Sequence, residues 1–180
     1  MGKVQKMVIK IVLIVVIVVA CCGIWFFTTV SSVNKEHAPA EAVVGTGDRS
    51  ALVIYEPSRL STTKDMSMAI ADTLAGAGYT VTVNFPSSRL DYDLEDYDVI
   101  AFGTPVYAGQ VSSALKSYVE SNPVEGKHVL VYVTGASPDD TKELDEMVSW
   151  VNAANSVSSI KVTKDDGERL SAFVKESLAQ

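Results

Sequence analysis

From residue 51 onward the sequence predicts an α/β domain built on a doubly wound, five-stranded parallel sheet. Five short apolar, β-branched runs alternate with segments whose apolar residues fall at helical spacing. Strict alternation of that kind puts helices on both faces of a parallel sheet. A further observation sets the N-terminus apart: residues 7–30 are an almost unbroken apolar run.

That run, Met7 to Val30, contains one charge, Lys10, and ends in Trp25-Phe26-Phe27. About twenty apolar residues suffice to span a bilayer, and terminal aromatics suit its interface. Residues 1–30 are therefore expected to be a transmembrane helix, a single-pass anchor in the cell membrane. Lys3, Lys6 and Lys10 precede or open the run, and this bias places the N-terminus in the cytoplasm and the domain outside. A cleaved signal peptide and a lipobox at Val18-Val19-Ala20-Cys21 are alternatives, but the apolar character continues past Cys21 through Phe27. Residues 31–50 mix Pro39, Gly45, Gly47 and charge without periodicity, which reads as a flexible stalk. Residues 51–180 are the domain.

The first strand is Ala51-Leu52-Val53-Ile54-Tyr55, stopped by Pro57. Ser58, Ser61, Thr62 and Thr63 follow, then Met66, Ile70, Thr73 and Leu74 mark a helix that ends at Gly76-Ala77-Gly78. Tyr79 to Phe85 alternates as a second strand, and Pro86 to Asp96 is turn-rich, with a helical turn at Asp93-Leu94-Glu95-Asp96. Tyr97 to Phe102 is a buried third strand ending at Gly103. Val111, Leu115, Tyr118 and Val119 form the next helical face, closed before Pro123. His128 to Val133 is the fourth strand; a helix opening at Pro138-Asp139-Asp140 carries Leu144, Met147, Val148 and Val151. Val157 to Val162 is edge-like, and Asp165 or Asp166 caps a final helix with Leu170, Phe173, Val174 and Leu178.

Composition limits what this domain does. With 47% hydrophobic residues in 180, the chain can build one core-bearing domain. Lys3, Lys6 and Lys10 are the only charges before Ser31, which leaves 12 basic and 22 acidic residues beyond it, a net of −10. Such a surface repels nucleic acid and suits basic protein partners. Cys21 and Cys22 are adjacent in the apolar run, so no disulfide framework exists, and His37 and His128 stand alone without metal-ligand spacing. Dinucleotide, nucleoside triphosphate and nucleophile-elbow motifs are all missing. A phosphoacceptor role fails because Gly103-Thr104 ends the third strand where an Asp is needed.

In parallel sheets ligands gather where strand ends meet at the switch in strand order. Three loops reach that edge: Pro57 to Thr63, Gly103 to Gly109, and Thr134 to Asp140. The first leads from strand to helix through hydroxyl residues, which offers unpaired N–H groups to an anion or simply caps the helix. The second brackets a Pro and Tyr107 between glycines. Those glycines would let backbone approach a flat ligand on which Tyr107 stacks, or Tyr107 packs on its own helix.

The segment Asp96-Tyr97-Asp98-Val99-Ile100-Ala101-Phe102-Gly103-Thr104-Pro105-Val106-Tyr107-Ala108-Gly109, with the helix Ser113 to Val119 behind it, resembles the third strand, flavin-flanking loop and helix of the flavodoxin-like family. The similarity runs from Ala51 to Ala136 and continues beyond by strand–helix order. This resemblance implies strand order 2-1-3-4-5, FMN as cofactor, and electron transfer with redox protein partners, membrane-bound ones included. It implies that Ser58, Arg59, Leu60, Ser61, Thr62 and Thr63 hold the phosphate. Thr104, Pro105, Val106, Tyr107, Ala108 and Gly109, with Thr134, Gly135 and Ala136, would flank the ring.

The family's first-loop pattern is hydroxyl, any, Thr, Gly, any, Thr. Ser58 and Thr63 match its ends, whereas Leu60 stands at a hydroxyl position and Ser61 at the glycine. Thr62 offers a replacement hydroxyl, and Glu56 brings a carboxylate toward a dianion. Thr134 to Asp140 lacks an aromatic for a second ring face. One-electron transfer needs no general acid or base, in keeping with these loops. Two other functions stay open: a flavin-dependent reductase of quinones or other small acceptors, and a flavin-free interaction domain with a degenerate first loop.

Overall fold

The computed structural model describes residues 3–33 and 36–179, with side chains from 9 to 24 and from 36 to 179. The chain divides into two units, Met1–Ser32 and Val33–Gln180. Helix α1 (Lys3–Val33) accounts for the first up to Ser32, and its described apolar residues, Val12 to Val19 among them, are exposed.

Among the described residues no helix is long and apolar enough to cross a membrane. The expected transmembrane anchor, the single-pass membrane location and the outside domain are therefore not upheld. The expected aromatic belt at Trp25, Phe26 and Phe27 lies outside the described side chains, and Cys21 and Cys22 are exposed free thiols.

The second unit is organised by β2 (Arg49–Tyr55), whose residues from Ala51 to Tyr55 are all buried. Its side chains alternate between two cores. Ala51, Val53 and Tyr55 pack with Met66, Ile70 and Leu74 of α2 (Thr62–Gly76) and Leu170 and Val174 of α5 (Gly167–Ser177). Leu52 and Ile54 pack on the other face with Leu115 and Tyr118 of α3 (Ser113–Ser121) and Leu144 and Met147 of α4 (Lys142–Trp150). Burial on both faces is why the run is apolar at every position instead of alternating. Each fully buried Leu or Ile contributes about 2 to 3 kcal/mol, so this strand anchors both layers.

Six strands form one sheet in the order β1-β3-β2-β4-β5-β6, with β1 (Ala42–Val44), β3 (Tyr79–Asn84), β4 (Val99–Pro105), β5 (His128–Thr134) and β6 (Ser156–Val162). The five strands from β2 to β6 are parallel and carry the expected 2-1-3-4-5 order. The sixth, β1, was not expected. It pairs antiparallel with β3, Val43 opposite Thr82, within residues read as a flexible stalk. Three residues of partly exposed edge strand leave too little pattern to read. Other described residues of the supposed stalk are tied down as well. Glu36 accepts hydrogen bonds from Ser87 and Ser88, the Ala40 N–H donates to Asn84, and Thr80 donates to the Gly47 carbonyl. Gly47 itself is a packing glycine: a Cβ there would lie 2.0 Å from the Gly78 carbonyl oxygen.

The third parallel strand also runs further than its apolar pattern. Gly103, Thr104 and Pro105 pair in register with Tyr132, Val133 and Thr134 of β5 and are buried. Pro105 is tolerated because it lies beyond the last β2–β4 pair, Tyr55 with Gly103.

Candidate functional site

The loops after β2, β4 and β5 emerge side by side, because these three strands are neighbours in the sheet. Three hydrogen bonds cross-link them. The Arg59 N–H donates to the Tyr107 hydroxyl at 2.8 Å. The Thr63 and Thr134 hydroxyls, both buried, lie 2.7 Å apart, and the Val106 N–H donates to the Thr134 carbonyl at 2.9 Å. The three stretches singled out in the sequence thus form one edge of the molecule.

The first loop is a tight wrap. The Ser58 carbonyl accepts from the Ser61 N–H, the Ser58 hydroxyl accepts from the Thr63 N–H at 3.1 Å, and the Ser61 carbonyl accepts from Asp65. Ser61 turns the chain with φ +60°, a left-handed conformation that L residues adopt at a cost of roughly 1–2 kcal/mol. Serine therefore takes up the backbone geometry that glycine would supply. With the Arg59, Ser61 and Thr63 N–H groups occupied, the donors left at the loop among the described residues include the N–H groups of Leu60 and Thr62 and the hydroxyls of Ser61 and Thr62. Thr62 starts α2, where N–H groups have no intrahelical acceptor and the helix end is electropositive. The Leu60 side chain is 86% exposed.

The second loop is a miniature hairpin. Tyr107 and Gln110 exchange both backbone hydrogen bonds at 3.0 Å, and Ala108 (φ +52°) and Gly109 (φ +72°) form its two-residue turn. Positive φ at both central positions is the type I′ pattern, normally filled by Asn-Gly or Gly-Gly. Ser61 and Ala108 are the non-glycine residues with positive φ among those described, and each sits in one of these loops. Strain of this kind concentrates at functional sites.

Several expected site residues have other work. Thr104 and Pro105 lie inside β4, Thr104 receiving the Ser112 N–H on its hydroxyl at 3.2 Å. Gly103 does not admit a ligand: a Cβ there would lie 1.9 Å from the Tyr132 ring, so its missing side chain makes room for that ring. Thr63 and Thr134 spend their hydroxyls on each other. Gly135 donates its N–H to Val162, and a side chain on it would press on Lys161 at 3.3 Å and Val106 at 3.6 Å. Ala136 is exposed beside it.

Glu56 points away from the first loop. Its carboxyl is 0% exposed, accepts from the Ser112 hydroxyl at 3.0 Å, and sits 2.8 Å from His37 Nε2. Burial pushes the carboxyl up from 4.5 to about 8, while the Ser112 hydrogen bond pulls it down. A mostly neutral carboxyl below the strand end does not oppose an anion on the loop. His37 and Ser112 were invisible as site residues, because their link to Glu56 spans 19 and 56 positions of sequence. Sequence also missed the buried pair Lys161 and Glu143, at 2.8 Å. His128, at the start of β5, bonds Ser156, and burial holds its pKa down.

A doubly wound sheet whose cross-linked loops stand at the carboxyl ends of its central strands defines the class of α/β domain in which ligands bind at that edge. Residues 52–170 match the flavodoxin domain family, and the chain belongs to that family. Solved structures agree on the fold. A flavodoxin from Streptococcus pneumoniae TIGR4 is 23% identical over 72% of this chain and 98% of its own, with a TM-score of 0.54. Flavodoxin 2 from Bacillus cereus is 19% identical over 72% and 98%, at 0.56. An NADH:FMN oxidoreductase in its apo form is 22% identical over 73% and 89%, at 0.57. No curated relative matches the sequence.

Proposed function

We propose that this chain is an FMN-binding electron-transfer protein. The observation that carries the reading is the left-handed Ser61, which gives the first loop a phosphate-cradle backbone although the glycine of the family pattern is missing. The Leu60 and Thr62 N–H groups with the Ser61 and Thr62 hydroxyls hold the phosphate, helped by the positive end of α2. The Tyr107 hairpin and the Thr134 to Ala136 turn flank the ring. FMN supplies one- and two-electron redox chemistry when bound.

The residues present fit this group. The loop donors are hydroxyls and N–H groups suited to a phosphate, and the buried Glu56 carboxyl, pushed up to about 8 by burial, is engaged by Ser112 and His37. One-electron transfer needs no general acid or base, so in this reading the chain's own task is to bind, orient and shield. The acidic surface beyond residue 31 suits a redox partner with a basic docking face.

The test is titration of the full-length apo chain with FMN, followed by flavin absorbance and fluorescence. Quenched FMN fluorescence with weaker binding of riboflavin, which lacks the phosphate, is the expected result. No binding of either would overturn the reading. Steady NADH oxidation by the FMN-loaded chain would favour a reductase over an electron carrier.

A further inference from the structure

We propose that the buried Glu143–Lys161 pair sets the reduction potential of the ring side of this site, an inference that rests on the FMN reading. Lys161 stands in β6 with 5% exposure and donates to Glu143 Oε2 at 2.8 Å and to the Asp140 carbonyl. Its Cε lies 3.3 Å from where a Cβ on Gly135 would be, and Glu143 Oε1 lies 3.8 Å from where a Cβ on Gly109 would be. Gly135 and Gly109 belong to the two different ring-flanking loops. One wall of the ring site is therefore backed by a cation and the other by an anion.

A merely mechanical tie between β6 and α4 does not need charges, since an apolar pair of similar volume serves as well or better. Charges removed from water act strongly on their neighbours, because the surrounding dielectric is low. Reduced flavin carries more negative charge than oxidised flavin, so the net charge behind the loops weights the two forms differently. In the intact pair the two charges oppose each other. The Asp140 carboxylate, which accepts from the Lys142 N–H, is the other acid close to Glu143. Removing the Glu143 charge leaves Lys161 uncompensated and favours the reduced form. Removing the Lys161 charge leaves the acids and disfavours it. The two substitutions thus have effects of opposite sign, which a structural role does not produce.

The experiment measures the midpoint potential of FMN bound to the full chain and to the Glu143→Gln, Lys161→Met and Lys161→Arg variants. The expected result is a rise for E143Q and a fall for K161M, with K161R close to wild type. Each shift is expected near tenfold in the ratio of reduced-form to oxidised-form affinity, about 59 mV for a one-electron step. Shifts of the same sign, or none, in variants that still bind FMN overturn the proposal. Should K161M fail to fold, E143Q decides alone: a rise supports the proposal and an unchanged potential overturns it. If the wild-type chain takes up no FMN, the cofactor reading itself falls, and this proposal with it.

Discussion

His37 Nε2 lies 2.8 Å from Oε1 of Glu56, a fully buried carboxyl at the end of the central strand. Burial raises that carboxyl from 4.5 to about 8. Below pH 4.5 both the folded and the unfolded chain hold the proton, and the contribution to stability is complete. Between 4.5 and 8 only the folded chain holds it, so stability falls as pH rises, by at most about 1.4 kcal/mol per pH unit. Above 8 the contribution is gone. Urea unfolding at pH 5, 6.5 and 8 is expected to show this decline, and Glu56→Gln to flatten it. Parallel pH profiles for the two proteins would refute the assignment.

Ser61 and Ala108 hold left-handed backbone without being glycine. Ser61→Gly and Ala108→Gly relieve roughly 1–2 kcal/mol of strain, part of which is lost to the freer unfolded chain. A net gain of about 0.5–1 kcal/mol is expected for each in urea unfolding. Ser61→Gly is also expected to tighten FMN binding. A lower unfolding midpoint in both variants would contradict the strain argument.

Gly103 is a packing position. A Cβ would meet the Tyr132 ring at 1.9 Å, so Gly103→Ala is expected to cost about 3 kcal/mol through overpacking. At Gly76, where nothing lies within 4 Å, Gly→Ala is expected to stabilise by up to about 1 kcal/mol instead. Thermal unfolding of the two variants separates these outcomes, and a harmless Gly103→Ala would rule out the contact.

The Thr63–Thr134 bond joins the first and third loops inside the protein. Either single change to Ala leaves a buried hydroxyl unpaired, at a cost of about 1–3 kcal/mol. The double variant is expected to cost less than the sum of the singles. Additive losses in a double-mutant cycle would show that the hydroxyls do not interact.

Residues 36–49 belong to the folded domain. A chain starting at Ser50 loses β1, the Glu36 bonds to Ser87 and Ser88, and the His37 partner of Glu56. Its melting temperature is expected to lie several degrees below that of a chain starting at Glu36, since ~1 kcal/mol shifts a domain of this size by about 2–4 °C. Faster amide exchange along Tyr79 to Asn84 should accompany the loss. Equal melting of the two chains would return this segment to the status of a linker.

The parallel sheet was legible because its strands are buried on both faces, so apolar runs such as Ala51 to Tyr55 announce themselves by composition alone. The three candidate loops followed from where those runs stop. What escaped were features with no local period: β1 at the sheet edge, and the extension of β4 through Gly103-Thr104-Pro105, whose residue types suggest a turn. The membrane anchor expected from the apolar N-terminal run is not upheld, since among the described residues no helix is long and apolar enough to cross a membrane.

Sequence by itself determined the layer architecture, the parallel strand order once the family resemblance was drawn, and the strand ends from which the three candidate loops emerge. Tertiary structure alone decided which hydroxyls remain available. Thr63 and Thr134 neutralise each other, Tyr107 takes the Arg59 N–H, and Glu56 turns inward to His37 and Ser112. The physical reason is that hydrogen-bond and ion partners are chosen by distance in space. Pairs such as Ser112 and Glu56, or Lys161 and Glu143, come together only after strand order and register are set, and no spacing along the chain encodes them.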